Sequence, residues 1–271
     1  MKQIHITPLA AGDGGLTGFL HDPEAVPRGP RPAVLICPGG GYRKFVTREA
    51  EPVALSFLSA GFNAFFVEYT LCSEAHPDPV GLAPLAQAAR ALRLIRDHAG
   101  EWGVREDQVA VLGFSAGGHL AGSCALLWDE PRLEELLGEP ADRRNRPDAA
   151  VLCYPVVLTV GPHIHQNTVR SLAPEAEAPF FDLPRRVRGD TPPCFLWSTV
   201  ADERVPPENL LELAAALQKN QVPYELHLYT WGRHGLTLGT AETGEEEPHL
   251  ATWVPLCKQW LGRIFDFSVS L

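Results

Sequence analysis

The chain has 271 residues, 45% apolar and 21% charged, which is enough to close the core of one large α/β domain. Its formal net charge of −10 argues against nucleic acid or an anionic membrane as a partner, yet leaves room for a local basic pocket. No apolar run approaches membrane-spanning length, and the opening M-K-Q-I-H-I-T-P-L lacks the apolar core of a secretory signal, so a cytoplasmic protein is expected. Cys37, Cys72, Cys124, Cys153, Cys194 and Cys257 are scattered with no C-x-x-C pair and read as free thiols.

In chain order, Ile4–Thr7 and Leu16–Leu20, separated by A-A-G-D-G-G, suit an antiparallel hairpin at a sheet edge. Six strand candidates follow, at Ala33–Cys37, Asn63–Thr70, Gln108–Gly113, Ala149–Tyr154, Cys194–Thr199 and Tyr224–Thr230. Most are continuous apolar runs, the pattern of strands covered on both faces. Helical patterns fall between or after them at Glu49–Ala60, Leu82–His98, Ala116–Trp128, Pro206–Asn220 and Thr252–Ile264. The alternation predicts a doubly wound, mostly parallel α/β sheet with the N-terminal hairpin on its edge. Gly61 suits a left-handed helix end, and Pro206-Pro207 the first turn of a helix. The stretch Asp129–Arg146 is charged and reads as solvated. Residues 155–190, proline-rich and weakly periodic, read as a cap or loop insertion within a single domain spanning 1–271.

The chemistry begins at Gly113-Phe114-Ser115-Ala116-Gly117, which follows a strand run and opens a helical one. A G-x-S-x-G in that setting is the nucleophile elbow of α/β-hydrolases: the tight turn needs glycines, and it lifts the serine Oγ clear of the sheet at a helix N-terminus. The plainer alternative is a serine N-cap on an ordinary strand–helix turn. Cys37-Pro38-Gly39-Gly40-Gly41-Tyr42 follows an earlier strand, and its glycines let backbone N–H groups approach a ligand. One oxyanion donor is expected from Gly40 or Gly41 and the other from Ala116. A serine nucleophile also needs a base and an orienting acid, in the order Ser, acid, His on this scaffold. Asp202 follows the strand at 194–199, with Glu203 as its rival, and His234 follows the strand at 224–230. Of the other histidines, His227 reads as structural, His119 as a brace, and His163 and His165 as cap residues near substrate.

The segments P-G-G-G-Y (38–42), R-E-A-E-P-V-A (48–54), G-F-S-A-G-G-H-L (113–120), V-P-P-E-N (205–209) and G-R-H-G-L (232–236) occur in this order. With them the chain resembles the bacterial acetylesterases, the acetyl-xylan esterase-like or sugar hydrolase branch of the α/β-hydrolases, over roughly residues 30–265. The resemblance implies a serine esterase that removes acetyl or similar small acyl groups from sugars or short oligosaccharides inside the cell. It also places Tyr42, Arg48, Glu51, Phe114 and His119 as candidate pocket residues. On the residues alone, Arg48 and Glu51 read instead as an i, i+3 ion pair on a helix surface. Two positions depart from the branch: Gln87 stands where an acid is usual in P-L-x-D, and Ser198 rather than histidine follows Trp197. With no H-E-x-x-H, cysteine cluster or Walker loop, no metal or organic cofactor is expected. The expected partner is a small-molecule substrate, with homo-oligomerisation left open. A general short-chain carboxylesterase, a peptidase of the prolyl-oligopeptidase-like branch and a non-catalytic binding protein are the alternatives.

Overall fold

A computed structural model describes residues 1–9, 14–22 and 29–270. Most of the turn expected at 10–15 lies outside them. The strands are β1 (Lys2–Ile6), β2 (Gly15–Leu20), β3 (Arg31–Cys37), β4 (Asn63–Glu68), β5 (Val104–Phe114), β6 (Ala149–Cys153), β7 (Cys194–Thr199) and β8 (Tyr224–Tyr229). The helices are α1 (Glu51–Ser59), α2 (Ala83–Asp97), α3 (Ala99–Trp102), α4 (Ala116–Leu126), α5 (Arg132–Leu137), α6 (Gln166–Leu172), α7 (Glu208–Lys219) and α8 (Trp253–Ile264). The strands form one sheet in the order β1-β2-β4-β3-β5-β6-β7-β8. The β1–β2 hairpin is antiparallel and β2 runs antiparallel to β4, while β3 to β8 pair in parallel.

Strand side chains alternate between two cores, as the pleat requires. Ala33, Leu35 and Cys37 of β3 join one apolar cluster, with Leu85 of α2, Leu120 of α4 and Leu210 of α7. Val34 and Ile36 join the other, with Phe57 of α1 and Trp253 and Leu261 of α8. Covering both faces is why these strands read as unbroken apolar runs. The two clusters also explain where the cleft opens. The chain leaves β3 toward α1 on one face and leaves the neighbouring β5 toward α4 on the other. The loops at these strand ends therefore part, and a crevice forms at the switch in strand order.

Gly61 adopts φ +105°, the left-handed side expected of it. All six cysteines are buried and free. The helix expected from Glu49 starts at Glu51 instead, behind a separate 3-10 turn at Thr47–Glu49. Among the described residues no helix is long and apolar enough to cross a membrane.

The charged stretch 129–146 is not simply solvated. It carries α5, whose Leu133 is fully buried, and it surrounds the guanidinium of Arg93 on α2. The Arg93 side chain is wholly buried and meets Glu139 at 2.7 Å and Asp142 at 3.3 Å, with further bonds to Asn145 Oδ1 and the Pro140 carbonyl. A buried cation needs such oxygens, so the charges that suggest a solvated loop fasten it to the core. Arg93→Ala should therefore lower the unfolding free energy by about 3 kcal/mol in a denaturant titration. A loss below about 1 kcal/mol would mean that the segment docks without this ion cluster.

Candidate active site

At the end of β5 the chain turns so sharply that Ser115 takes φ 54° and ψ −117°. A non-glycine residue held there costs on the order of 1–3 kcal/mol, and the neighbours must enforce it. Ser115 donates its N–H to the Cys153 carbonyl at 3.0 Å, and its own carbonyl accepts from Val156 and His119, each at 3.1 Å. The two flanking glycines allow close packing: a Cβ at Gly113 would lie 2.0 Å from the Gly117 carbonyl oxygen, and one at Gly117 would lie 2.0 Å from that of Cys37.

Asp202 lies in the loop after β7 and His234 in the loop after β8; the imidazole reaches the serine, and the carboxylate reaches the imidazole. His234 Nδ1 is 2.6 Å from Asp202 Oδ2, and its Nε2 is 2.9 Å from Ser115 Oγ. With Nδ1–H donating to the carboxylate, Nε2 is left to accept from the serine hydroxyl. The other carboxylate oxygen, Oδ1, accepts the N–H groups of Arg204 at 2.9 Å and Val205 at 3.0 Å. The Asp202 side chain is 1% exposed and that of His234 12%, so the acid is sealed off while the imidazole still touches the cleft. Glu203, the rival acid, is exposed and lines the cleft instead.

The cleft has a volume of about 1030 Å³, with Gly40, Gly41, Ser115 and His234 in its wall. At Gly40 the backbone has φ +129°, and a Cβ there would lie 1.9 Å from the Lys44 carbonyl oxygen. Among the described residues the N–H groups of Gly40, Gly41 and Ala116 have no acceptor within the chain. Residues 155–190 contribute His165, Asn167 and Thr168 to the opposite part of the wall. His165 accepts the Thr168 N–H and so caps α6; burial, and next the nearby charges of His234 and Arg204, lower its pKa from the ordinary histidine value.

The five candidate pocket residues separate. Arg48 lines the cleft and donates from Nη2 to the Gly235 carbonyl at 2.9 Å, tying the 3-10 turn to the histidine loop. Glu51 is exposed at the start of α1, outside the cleft wall, and makes no ion pair with Arg48 among the described residues. The expected i, i+3 pair fails because the two residues sit on different helical segments. Phe114 is fully buried and packs against Tyr154 and Trp253, behind the site. Tyr42 and His119 are also buried behind it: the Tyr42 hydroxyl donates to His119 Nδ1 at 2.9 Å, and His119 Nε2–H donates to the Phe181 carbonyl at 3.0 Å. His119 thus links the glycine loop, α4 and the 155–190 segment. His227, inside β8, meets Glu225 at 2.8 Å.

Sequence reasoning missed Glu49, although it lies inside the R-E-A-E motif. Its buried carboxylate accepts the Gly39 N–H at 2.7 Å on Oε2 and the Tyr154 hydroxyl at 2.8 Å on Oε1. The Tyr154 ring lies edge-on to His234, centroids 4.9 Å apart. One carboxylate therefore holds both the glycine loop and the ring beside the imidazole. Burial pushes its pKa above the usual glutamate value, against the pull of these two hydrogen bonds. Gln87, at the position that departs from P-L-x-D, is buried and holds Thr70 by two bonds, 2.7 Å to its N–H and 2.9 Å to its hydroxyl. Among the described residues no three His, Cys, Asp or Glu side chains are grouped as metal ligands.

Burial lowers the pKa of His119 from 6.5 to about 4. Between these values the unfolded chain binds a proton that the folded chain does not, so stability falls as pH drops through this window. The His119 contribution to that loss is at most about 3 kcal/mol. His119→Gln should cost on the order of 1 kcal/mol at pH 7 and flatten the decline below pH 6.5. Denaturant titrations at several pH values check this; parallel curves for the two proteins would show that His119 is protonated while folded.

A family model described as BD-FAE matches residues 22–163, and one described as the prolyl oligopeptidase family matches residues 173–260. The chain is 35% identical over 231 residues to endo-1,4-beta-xylanase B of Butyrivibrio fibrisolvens, covering 84% of this chain and 35% of that protein. It is 26% identical over 217 residues to an acetylxylan esterase of Xylanibacter ruminicola, covering 77% of this chain and 42% of that protein. The chain thus spans between about a third and two fifths of the length of these curated relatives. The crystal structure of an acetyl ester-xyloside bifunctional hydrolase from Caldicellulosiruptor lactoaceticus superposes with a TM-score of 0.82 at 33% identity, covering 95% of this chain and 90% of that one. More than half of its length fits the first family model, and it superposes on the solved hydrolase over nearly its whole length: the chain belongs to the BD-FAE family, within the acetyl-xylan esterase-like α/β-hydrolases.

Proposed function

We propose that the protein is a serine esterase that removes acetyl or other small acyl groups from sugars or short oligosaccharides, xylose-based ones included. The observation that carries this reading is the relay of Ser115 Oγ, His234 Nε2 and Nδ1, and Asp202 Oδ2 at 2.9 and 2.6 Å on the floor of an open cleft. In the first step Ser115 Oγ attacks the ester carbonyl carbon while His234 Nε2 takes the hydroxyl proton. Asp202 fixes the imidazole tautomer and stabilises the imidazolium. The N–H groups of Ala116 and of Gly40 or Gly41 receive the oxyanion, an effect typically worth several kcal/mol of barrier. His234 returns the proton to the departing alcohol, leaving an acyl group on Ser115. It then takes a proton from water, whose oxygen attacks the acyl carbon; the bond from that carbon to Ser115 Oγ breaks, His234 gives the proton to Oγ, and the acid leaves.

The sugar assignment rests on the similarity to the acetylxylan esterase and the acetyl ester-xyloside hydrolase. One feature of the site supports it. Trp231 is 71% exposed and immediately precedes the cleft-lining Gly232, so an exposed aromatic side chain stands next to the cleft in sequence, the residue type on which sugar rings stack. The prolyl oligopeptidase match covers β7, β8 and the loops carrying Asp202 and His234, so amide cleavage is the competing chemistry.

Initial rates on p-nitrophenyl acetate, butyrate and octanoate, on per-acetylated xylobiose and on an aminoacyl p-nitroanilide test the proposal. The acetate and the acetylated sugar should be preferred, and Ser115→Ala should lower kcat/KM by about a thousandfold or more. Preference for octanoate would make the enzyme a general carboxylesterase. Cleavage of the anilide would move it to the peptidases, and an unaffected alanine variant would remove Ser115 from the chemistry.

A further inference from the structure

The protein carries a formal net charge of −10, yet its cleft is lined by Arg43, Lys44, Arg48, Arg204 and Arg233. Two of these cations are engaged: Arg48 donates to the Gly235 carbonyl, and Arg233 pairs with Glu245 at 2.7 Å. For Arg43, Lys44 and Arg204 there is no carboxylate partner within ion-pair distance among the described residues, and all three are exposed. The acids of the same wall do little to offset them. Glu49 is buried and committed to Gly39 and Tyr154, which leaves Glu203 as the exposed carboxylate of the lining.

The backbone sets these three cations around the reacting centre from two sides. The N–H groups of Arg43 and Lys44 donate to the Gly40 carbonyl at 3.2 and 3.3 Å, closing the turn that positions the glycine loop. Arg204 is fixed from the other side, where its N–H donates to Asp202 Oδ1 at 2.9 Å. A cleft lined by one sign of charge concentrates ligands of the other sign.

We infer that the cleft selects esters whose alcohol part is anionic, an acylated sugar bearing a uronate carboxylate or a phosphate, and that Arg43, Lys44 and Arg204 bind this group. The inference rests on the esterase reading for the acyl part only: an acetyl group carries no charge, so the anion belongs to the alcohol. Arginine forks suit the planar carboxylate and the phosphate alike, with lysine adding a point charge.

The test compares three acetylated methyl glycosides that differ in one substituent: a glucuronoside, its neutral methyl ester and a 6-phosphate. Either anionic substrate should exceed the neutral one in kcat/KM by about tenfold, the sum expected from three exposed charge contacts. That advantage should shrink as NaCl rises to about 0.3 M. Whichever anion gives the larger ratio identifies the source. In Arg43→Gln/Lys44→Gln/Arg204→Gln the ratio should fall to about one. Equal kcat/KM for neutral and anionic substrates in the wild type would overturn the inference, as would a ratio that survives the triple substitution.

Calorimetric binding of unacylated methyl glucuronoside and methyl glucoside 6-phosphate gives a readout that needs no turnover. If no ester is cleaved but one of these ligands binds, and the triple variant does not bind it, the anion site stands and the esterase reading falls. If esters are cleaved and neither ligand binds more tightly than acetate, the esterase reading stands and the anion site falls.

Discussion

Two contacts between backbone atoms govern the site. Where β5 meets α4, a Cβ on residue 113 would collide with the Gly117 carbonyl, and a Cβ on residue 117 with the carbonyl of Cys37. Only glycine at both positions lets α4 start directly against the ends of β3 and β5. That approach holds Ser115 at positive φ, its hydroxyl aimed out of the sheet toward His234. The strain is local, and the elements that enforce it are among the best buried of the fold: every residue of α4 is buried. A rigid floor allows Asp202 and His234 to arrive on two separate loops and still form a continuous hydrogen-bonded chain to Ser115.

Around this floor, buried and half-buried polar groups do the positioning. Glu49 joins the glycine loop to Tyr154, Arg48 joins the neighbouring turn to the loop of His234, and His119 joins Tyr42 to the 155–190 segment. Each is a hydrogen bond or pair of bonds between segments distant in sequence, and each satisfies a group that would otherwise be costly to bury. The site thus has an inner frame of shielded polar contacts and an outer rim of exposed cations. The first fixes geometry, and the second is free to meet a substrate.

Elements with a strong local signal were legible in the sequence. Apolar runs placed β3 to β7 within a few residues, because strands covered on both faces leave little room for polar interruption. The order of G-x-S-x-G, Asp202 and His234 pointed to residues that do converge, since each follows a strand and parallel strands end on the same edge of the sheet. What stayed hidden depends on long-range partners. Glu49 and Glu51 are alike in local sequence, and only the position of Gly39 and Tyr154 makes the first a buried brace and the second a solvated helix start. The charges of 129–146 masked α5 because their partner, Arg93, lies on α2. Likewise, a net charge carries no geometry. Residues 43, 44 and 48 follow β3, residue 204 follows β7 and residue 233 follows β8, and only the fold gathers these three connections at one cleft.

The central claim is a covalent intermediate on Ser115 formed with His234 as base. The most direct measurement is to quench the wild-type protein in acid during turnover of p-nitrophenyl acetate and locate the acetyl group by mass spectrometry of its peptides. The peptide carrying Ser115 should be acetylated in the wild type and unmodified in His234→Ala under the same conditions. Turnover with the acetyl group on another residue, or on none, would contradict it.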